Sequence, residues 1–285
     1  MERFPSKIAD GTMVPTGDQD FDAGNFGFPS GWYEAVLIRK SHRSFHPRPP
    51  EEDKIARLEK LCAAFQPFPG ARAELIRKSP DDVFRGFIGG YGRITGASLY
   101  MAFIGAPDGP HVETAVGYTG EGLVLEATML GLGTCWVSGF FRPDAVGAHV
   151  DLAPGERVFA VTPVGYSERR YTIKDKIYRG LAGSAKRKSV GEIVEGTLAE
   201  PWQVKAVEAA RIAPSAANRQ PWRFAAGPGT LSVRTDETKD VGRYPRRLDC
   251  GIAMLHVEVG AREAGVEGRW TFLSAPDVAR FEAAK

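Results

Sequence analysis

An internal repeat constrains the fold of this chain more than any other feature of its sequence. When the sequence is aligned with itself so that Gly117 falls on Gly251, Trp136 falls on Trp270, and four of the twenty positions in this window are identical. Three further positions in the window pair leucine with valine. A duplication of this kind predicts two similar halves that pack about an approximate two-fold axis within one chain. We therefore expect an internal pseudo-dimer.

Composition and charge exclude several functional classes. The 285 residues carry 37 basic and 35 acidic side chains, a net charge of +2, which argues against a broad nucleic-acid surface. The N-terminus lacks the apolar core of a signal peptide, and no apolar run approaches the length of a membrane span, so we expect a cytoplasmic protein without membrane contact. The three cysteines are scattered singly, which predicts neither disulfides nor a metal site.

The apolar periodicity predicts both helices and strands. Residues 1–30 lack periodic apolar positions and are expected to form an irregular arm, followed by a first half over 31–190 and a second half over 191–285. The first helix should start with Ser30 as its N-cap and turn Trp32, Val36 and Leu37 inward. The other expected helices cover 51–65, 120–132, 201–212 and 251–264, and the expected strands cover 99–104, 157–164, the arms of a hairpin around 227–229, and 269–273.

The first candidate for a binding segment is the basic run RKSHRSF, residues 39–45. In an extended chain Arg39, Ser41 and Arg43 alternate and would point the same way, so that two guanidinium groups and a hydroxyl could hold a phosphate. The alternative is a solvated basic helix end that interacts with the helix dipole, and without other context this alternative is favoured. His42 and His46 lack a third ligand nearby and are not expected to bind a metal.

The second candidate is the glycine-rich run GLGTCWVSGFF, residues 131–141. Its glycines allow the backbone to pass close to a flat ligand, and the amides of Ser138 and Gly139 could donate hydrogen bonds to a ring nitrogen. The alternative is a glycine that ends a helix, followed by a strand that packs Trp136 and Phe140 into the core. Cys135 has no visible base beside it and is interpreted as a small buried thiol.

The third candidate is the run PSAANRQPWRF, residues 214–224. Pro214 and Pro221 stiffen it, and the small residues from Ser215 onward leave room for a large planar ligand. The amide side chains of Asn218 and Gln220 should fix the loop through bonds to the backbone. A rigid turn without a ligand would carry the same residues.

In combination, the three runs resemble the nitroreductase family of FMN-dependent oxidoreductases. The resemblance covers most of residues 31–273 and rests on the family's RRSxRxF, GLGTxWxxGF and PSxxNxQPW patterns, with Lys40 in place of the second arginine. It implies an α+β fold in which helices flank a mixed, mainly antiparallel sheet. It also implies FMN as the cofactor, NADH or NADPH as the hydride donor at flavin N5, and a nitroaromatic or quinone-like acceptor in a ping-pong cycle.

The resemblance assigns roles to individual residues. Arg39 and Ser41, with Lys40 between them, would hold the FMN phosphate together with Arg187 and Lys188. Arg43 would lie near the pyrimidine edge of the ring, and Arg93 is a looser match for a basic residue near the ring. The amide of Gly139 would face N5. The remaining implied contacts are Trp136, Val137 and Ser138 beside N5, and Pro214, Ser215, Ala216, Asn218 and Gln220 in the covering loop. No catalytic acid is implied.

One departure from the family pattern narrows the resemblance. The place after the first motif, where the covering loop would normally stand, holds residues 63–70, which match poorly, and the intact copy lies in the second half. The resemblance is therefore closest to the fused, single-chain branch of the family, with one complete FMN site per chain and the second site empty or lost. Such a chain would be a monomer that acts as a pseudo-dimer, and it could also dimerise further.

Several alternative functions stay open at this point. The family also includes members that use FMN for dehalogenation, for azoline oxidation or for breaking down the flavin itself. A flavin carrier without turnover is a second alternative. A Rossmann dehydrogenase is disfavoured because GYTGEG, residues 117–122, has the wrong glycine spacing.

Overall fold

The computed structural model describes residues 20–21, 28–85, 94–167, 186–236 and 245–284. The helices in these ranges are α1 (Trp32–Ile38), α2 (Glu52–Ala64), α3 (Val112–Met129), α4 (Pro143–Gly147), α5 (Val190–Ile193), α6 (Pro201–Arg211) and α7 (Arg246–Glu263). The strands are β1 (Asp20–Phe21), β2 (Ala71–Ile76), β3 (Leu99–Gly105), β4 (Gly133–Thr134), β5 (Arg157–Gly165), β6 (Val194–Glu195), β7 (Trp222–Gly227), β8 (Thr230–Thr235), β9 (Gly268–Phe272) and β10 (Asp277–Ala283). A short 3₁₀ turn covers Ala216–Asn218.

The strands form two sheets flanked by helices, which confirms the predicted α+β class. The first sheet has the order β2-β3-β5-β4, and all of its pairs are antiparallel. The second has the order β1-β9-β10-β8-β7-β6, in which only β6 and β7 run parallel. None of the described helices combines the length and the apolar character that crossing a bilayer requires.

The two sheets repeat one strand order. Between residues 52 and 165 the chain runs α2-β2-β3-α3-β4-α4-β5, and between residues 201 and 283 it runs α6-β7-β8-α7-β9-β10, so the two orders match apart from the short helix α4. The corresponding sheet orders are β2-β3-β5-β4 and β7-β8-β10-β9, so equivalent strands occupy equivalent places. Helices α3 and α7 both have 18 residues, and the alignment that places Gly117 on Gly251 also matches their first and last residues.

Helices α3 and α7 pack against each other at two glycines. A side chain at Gly117 would collide with the carbonyl oxygen of Leu248, and a side chain at Gly251 would collide with that of Thr114. These contacts are reciprocal, because the sequence repeat also aligns Thr114 with Leu248. Both helices are buried along most of their length, and the large apolar core of the chain surrounds them.

The outer side of the first sheet carries a second, smaller apolar cluster. Phe45, Tyr100, Phe141 and Val161 are members of it. Strand β3 therefore has apolar neighbours on both faces, and every one of its residues is buried. This explains why β3 appears in the sequence as a continuous apolar run rather than as an alternating pattern.

Most of the predicted elements are confirmed, and the differences have physical causes. Helix α2, strands β3 and β5, the proline start of α6 and the hairpin β7–β8 lie within one or two residues of their predicted bounds. Helix α3, however, begins at Val112, well before the predicted start at 120, and α7 begins at Arg246 rather than at 251. Gly117, in the part of α3 that was not predicted, allows α3 and α7 to approach closely, and this packing stabilises helical turns that the apolar pattern alone does not indicate. Strands β2, β4 and β10 were not predicted.

The start of the chain differs from the prediction in two places. Gly31, with a φ of 99°, is the N-cap of α1 instead of Ser30, and Leu37 is 57% exposed instead of facing inward. Trp32, Ala35 and Val36 form the buried stripe of this short helix, and Leu37 lies outside that stripe. The expected irregular arm contributes β1, which pairs with β9.

Candidate active site

The basic run and the glycine-rich run lie side by side. Ser41 bridges to Thr134 in a parallel arrangement, and the amide of His42 donates to the carbonyl oxygen of Thr134 over 2.8 Å. The carbonyl oxygen of Arg43 accepts a hydrogen bond from the amide of Thr95 over 3.0 Å. Residues 39–43 are thus held in place at the start of the glycine-rich run, and the two predicted binding segments form one site.

Arg39 is a buried cation that lacks full hydrogen bonding. It ends helix α1, and only 6% of its side chain is exposed. Its Nε has no acceptor among the described residues and lies 3.7 Å from Oε1 of Glu121, beyond hydrogen-bond distance. Lys40, by contrast, is exposed. Arg39 therefore retains hydrogen-bonding capacity for a further acceptor.

Arg187 brings a second guanidinium group to the same place from the start of the segment that leads into α5. It donates to the carbonyl oxygen of Ala213 over 3.0 Å and to Oδ1 of Asn218 over 2.8 Å. Burial, followed by the charges of Arg39 and Arg211, lowers the pKa of Arg187 to about 10. Both of these neighbouring charges are positive, so they add to the cost of burying Arg187 instead of offsetting it, and an anion bound beside Arg187 would lower that cost.

The loop 214–220 is fixed to the segment 186–188. Asn218 Nδ2 donates to the carbonyl oxygen of Lys186 over 2.7 Å, and the amide of Lys188 donates to Oε1 of Gln220 over 2.9 Å. Lys188 Nζ donates to the carbonyl oxygen of Gln220 over 2.9 Å. Ala217, Asn218 and Gln220 all have positive φ values, between 49° and 53°. Asn218 and Gln220 therefore fix the loop through backbone contacts, as their sequence context predicts.

Asp249, in the first turn of α7, also holds the loop 214–220 in place. The carboxylate of Asp249 accepts from the amide of Ala216 at 3.2 and 3.3 Å and from Nε of Arg219 at 2.9 Å. Within the loop, Ser215 Oγ accepts from the amide of Gln220 over 3.0 Å, and Pro214 is buried. Sequence reasoning did not identify Asp249, because no local pattern shows which acidic residue of a helix will face a distant loop.

The glycine-rich run has two adjacent backbone amides that bind no acceptor among the residues that the structure describes. Val137 exchanges two 2.9 Å hydrogen bonds with Val161, so its amide is occupied. The amides of Ser138 and Gly139 have no acceptor within the described ranges. Both residues are partly exposed, so they present two adjacent donors to a ligand at the surface of the site.

Trp136 is fixed against helix α3. Its Nε1 donates to Oε2 of Glu121 over 2.6 Å, and its ring lies 4.6 Å from that of Phe103 between centroids. A side chain at Gly120 would collide with the indole ring, so this glycine provides the space that Trp136 fills. The indole is therefore a support for the run 137–139 rather than a free donor.

Glu121 connects the parts of the site and was not identified from the sequence. Fully buried on α3, it accepts from Trp136 and is within 2.8 Å of Nε2 of His256 on α7. It also lies next to Arg39. One carboxyl group thus contacts the basic run, the glycine-rich run and the second half of the chain. Glu121 is one of three glutamates in α3, and the sequence alone does not show which of them faces the site.

Most of the predicted residues therefore converge on one region built from both halves. Arg39 and Ser41 come from the first half, and the loop 214–220 comes from the second. Arg43 is partly exposed and forms no ion pair with the described residues. Arg93 lies outside the described residues. A surface cleft around Arg262 and Glu267 contains none of the predicted residues.

Comparisons with known proteins were made on both sequence and structure. The family model described as "Putative TM nitroreductase" matches residues 32–261. A "putative nitroreductase" from Thermotoga maritima has a similar structure, with a TM-score of 0.56 and 22% identity, over 96% of this chain and 99% of that one. An FMN-dependent nitroreductase from Clostridium difficile R20291 aligns with a TM-score of 0.40 and 16% identity, over 50% of this chain and 92% of its own. A nitroreductase family protein from Clostridium difficile 630 aligns with a TM-score of 0.42 and 18% identity, over 58% and 98% of the two chains.

The searches differ in what they establish. No curated protein sequence matches the chain. The Thermotoga maritima structure shows that the same fold extends over nearly all of both chains. The family model covers well over half of the sequence and includes the basic run, the glycine-rich run and the loop 214–220. On this match, the chain belongs to the TM nitroreductase family.

Proposed function

We propose that this chain binds one FMN and acts as an NAD(P)H-dependent oxidoreductase that reduces a small acceptor of the nitroaromatic or quinone type. The observation that carries this function is the convergence of Arg39, Arg187 and Asn218, from separate parts of the chain, on a buried region where the charge of Arg39 acts on Arg187. We further propose that the protein acts in the cytoplasm, where both nicotinamides are available.

The phosphate end of FMN fits the basic part of the site. A phosphate dianion would supply the acceptor that Arg39 Nε lacks among the described residues, and it would place a negative charge beside Arg187, whose pKa is lowered by burial and then by the charge of Arg39. Ser41 is held beside Arg39 by its bridge to Thr134 and would add a hydroxyl donor. Lys40 and Lys188 would add positive charge at the edge of this site.

The ring end fits the glycine-rich run and the covering loop. The free amides of Ser138 and Gly139 would donate to the ring, supported by Trp136 beneath them. The loop from Pro214 to Gln220 would cover the ring. Arg43, together with Arg93, would place positive charge where the reduced ring carries its negative charge. When bound, FMN supplies the hydride chemistry, accepting from the nicotinamide and passing electrons to the acceptor in a second half-reaction.

The internal pseudo-dimer is part of this proposal. The equal strand orders of the two sheets and the reciprocal contacts of Gly117 and Gly251 support an approximate two-fold axis between α3 and α7. About such an axis, the first half would supply the contacts to phosphate and N5, and the second half would supply the covering loop. This division explains why the loop 214–220 lies far from the basic run in sequence and near it in space.

The counterpart of the site in the other half is filled by aromatic side chains. The sequence repeat aligns Phe272 with Ser138, and the ring of Phe272 contacts those of Phe68 and His111 at centroid distances of 4.8 and 4.7 Å. Phe68 also packs on Tyr118 and is only 1% exposed. Aromatic rings thus occupy the position equivalent to the free amides of the first site, which supports one FMN per chain.

The decisive experiment is an absorption spectrum of the purified protein with FMN quantified per chain, followed by anaerobic addition of NADH and of NADPH. We expect a yellow protein that either nicotinamide bleaches and that an added quinone or nitroaromatic reoxidises. Arg187→Ala should weaken FMN binding at least about tenfold, since it removes a buried charge-assisted contact. Arg77→Ala, which removes an exposed arginine paired with Glu59, is the matched control and should bind FMN like the wild type.

Other outcomes identify other functions. A yellow protein that neither nicotinamide reduces would indicate a flavin carrier. Reduction without turnover of quinones or nitroaromatics would indicate one of the other flavin reactions in this family, such as dehalogenation or azoline oxidation. A colourless protein that FMN does not reconstitute would refute flavin binding altogether.

A further inference from the structure

A buried hydrogen-bonded pair lies behind the candidate site and joins the two halves. Oε1 of Glu121 on α3 is 2.8 Å from Nε2 of His256 on α7, and Nδ1 of His256 is 3.0 Å from the carbonyl oxygen of Ala209. Both side chains are completely buried. The second oxygen of Glu121 accepts from Trp136, and Arg39 Nε lies 3.7 Å from the first.

The hydrogen-bond partners of His256 determine how many protons the Glu121–His256 pair carries. A backbone carbonyl oxygen can only accept, so Nδ1 of His256 carries a hydrogen. Nε2 then faces a carboxyl oxygen, and a hydrogen bond between them requires one more proton, on either Nε2 or Glu121. In both arrangements the two side chains together carry no net charge. The pair therefore leaves the positive charge of Arg39 uncompensated.

We propose that Glu121 and His256 form a positioning pair that shares one proton, holds Trp136 in place, and keeps the charge of Arg39 available to the phosphate of the ligand. This inference rests on the proposed binding of FMN. Without the extra proton, the pair would carry a net negative charge beside Arg39 and would compete with the phosphate for it. The histidine from the second half thus sets the strength of an anion site in the first half.

A similar arrangement about one turn away along the same two helices provides a matched control. Glu258 on α7 is also buried, and its Oε2 accepts from Tyr118 on α3 over 2.5 Å and from Nε1 of Trp270 over 2.9 Å. Glu258 also connects α3 with α7, but it lies beside Arg262 and beside the aromatic residues that would fill the second site. Substitution at Glu258 should perturb the helix pair to a similar degree without affecting Arg39.

The test measures FMN affinity in four variants of the full chain, by titrating the apoprotein and following the quenching of flavin fluorescence. His256→Gln keeps a donor toward Glu121 but removes the shared proton, and should weaken FMN binding about tenfold. Glu121→Gln can accept from Trp136 and donate to a neutral His256, so it should weaken binding at most about threefold. Combining E121Q with H256Q should restore affinity to the level of E121Q alone. Glu258→Gln should match the wild type.

The outcomes separate this inference from the proposed function. If the wild type does not bind FMN, flavin binding itself is refuted. If the wild type binds FMN but H256Q binds equally well, or if the double variant is no tighter than H256Q, the shared-proton pair is refuted. A purely structural role would make the double variant the weakest, because it removes both native partners. Thermal unfolding of each apoprotein identifies variants that fail to fold.

A measurement on the wild-type protein tests the proton directly and does not depend on any variant folding. In ¹⁵N spectra of histidine-labelled apoprotein, Nδ1 of His256 should have the shift of a protonated ring nitrogen. An unprotonated Nδ1 would mean a neutral histidine that simply donates to a carboxylate, and it would overturn the inference.

Discussion

At the scale of single residues, Glu258 is the buried acid whose environment least favours its ionised form. Burial raises the pKa of Glu258, and the hydrogen bonds from Tyr118 and Trp270 and the charge of Arg262 offset only part of this effect. The native protein therefore keeps a proton on Glu258 at pH values where the unfolded chain has lost it. Stability should fall as pH rises from the ordinary carboxyl pKa through the raised one.

Glu258→Gln should remove the loss of stability that the wild type shows as pH rises. The amide keeps an acceptor for Tyr118 and Trp270 but has no proton to lose. We expect the Tm of E258Q, relative to that of the wild type, to increase as the pH is raised from about 5 to about 8, as measured by thermal unfolding at several pH values. Parallel curves for the two proteins would mean that Glu258 is ionised throughout this range.

Also at this scale, residues that belong to a local pattern could be predicted and residues that act across the fold could not. Arg39 and Asn218 belong to runs whose residue types and spacing indicate a binding segment. Glu121, Asp249 and His256 act through partners that are distant in sequence, and their own neighbours along the chain are ordinary helix residues. Which polar side chain of a helix faces inward depends on how that helix packs, and a single sequence does not contain this information.

At the scale of elements, the packing of α3 on α7 depends on two glycines. Their absent side chains let the backbones come close enough that any Cβ would collide with a carbonyl oxygen of the other helix. Intrinsic helix propensity disfavours glycine by about 1 kcal/mol, but the close packing of the two helices more than compensates for this.

Gly117→Ala and Gly251→Ala should each lower the free energy of unfolding, by about 1–3 kcal/mol, because the helices must move apart. The two losses should be similar, since the contacts are reciprocal. Gly147→Ala at the end of α4 is the control: a side chain there meets no other atom, so stability should change by no more than about 0.5 kcal/mol. Chemical denaturation of the three variants measures the differences. A neutral G117A would show that the helices can separate without cost.

At the scale of the whole molecule, two sheets of equal strand order accompany one complete candidate site. The sequence repeat and the displaced loop 214–220 are the basis of our proposal that two halves of the chain share one site. The packing of Phe68 against Phe272 could not be predicted, because neither residue belongs to a recognisable motif and their contact depends on the fold.

We expect a single class of FMN site, with one FMN per chain. Isothermal titration of the apoprotein should give a stoichiometry of one. Free FMN at about 100 times its Kd should stabilise the fold by about 2.7 kcal/mol, as one-site linkage requires. A stoichiometry of two would contradict the blocked second site. A free energy of unfolding that rises with the logarithm of FMN concentration at twice the slope expected for one site would contradict it independently.

Because the two sheets belong to one polypeptide, equivalent positions in them can mutate independently. In an enzyme assembled from two identical chains, each mutation appears in both copies of the interface. Here the pair Glu121–His256 and the pair Glu258–Tyr118 are encoded at separate positions, so selection can act on one without altering the other. Each of these two buried contacts can therefore diverge from the other, which an interface between two identical chains would not allow.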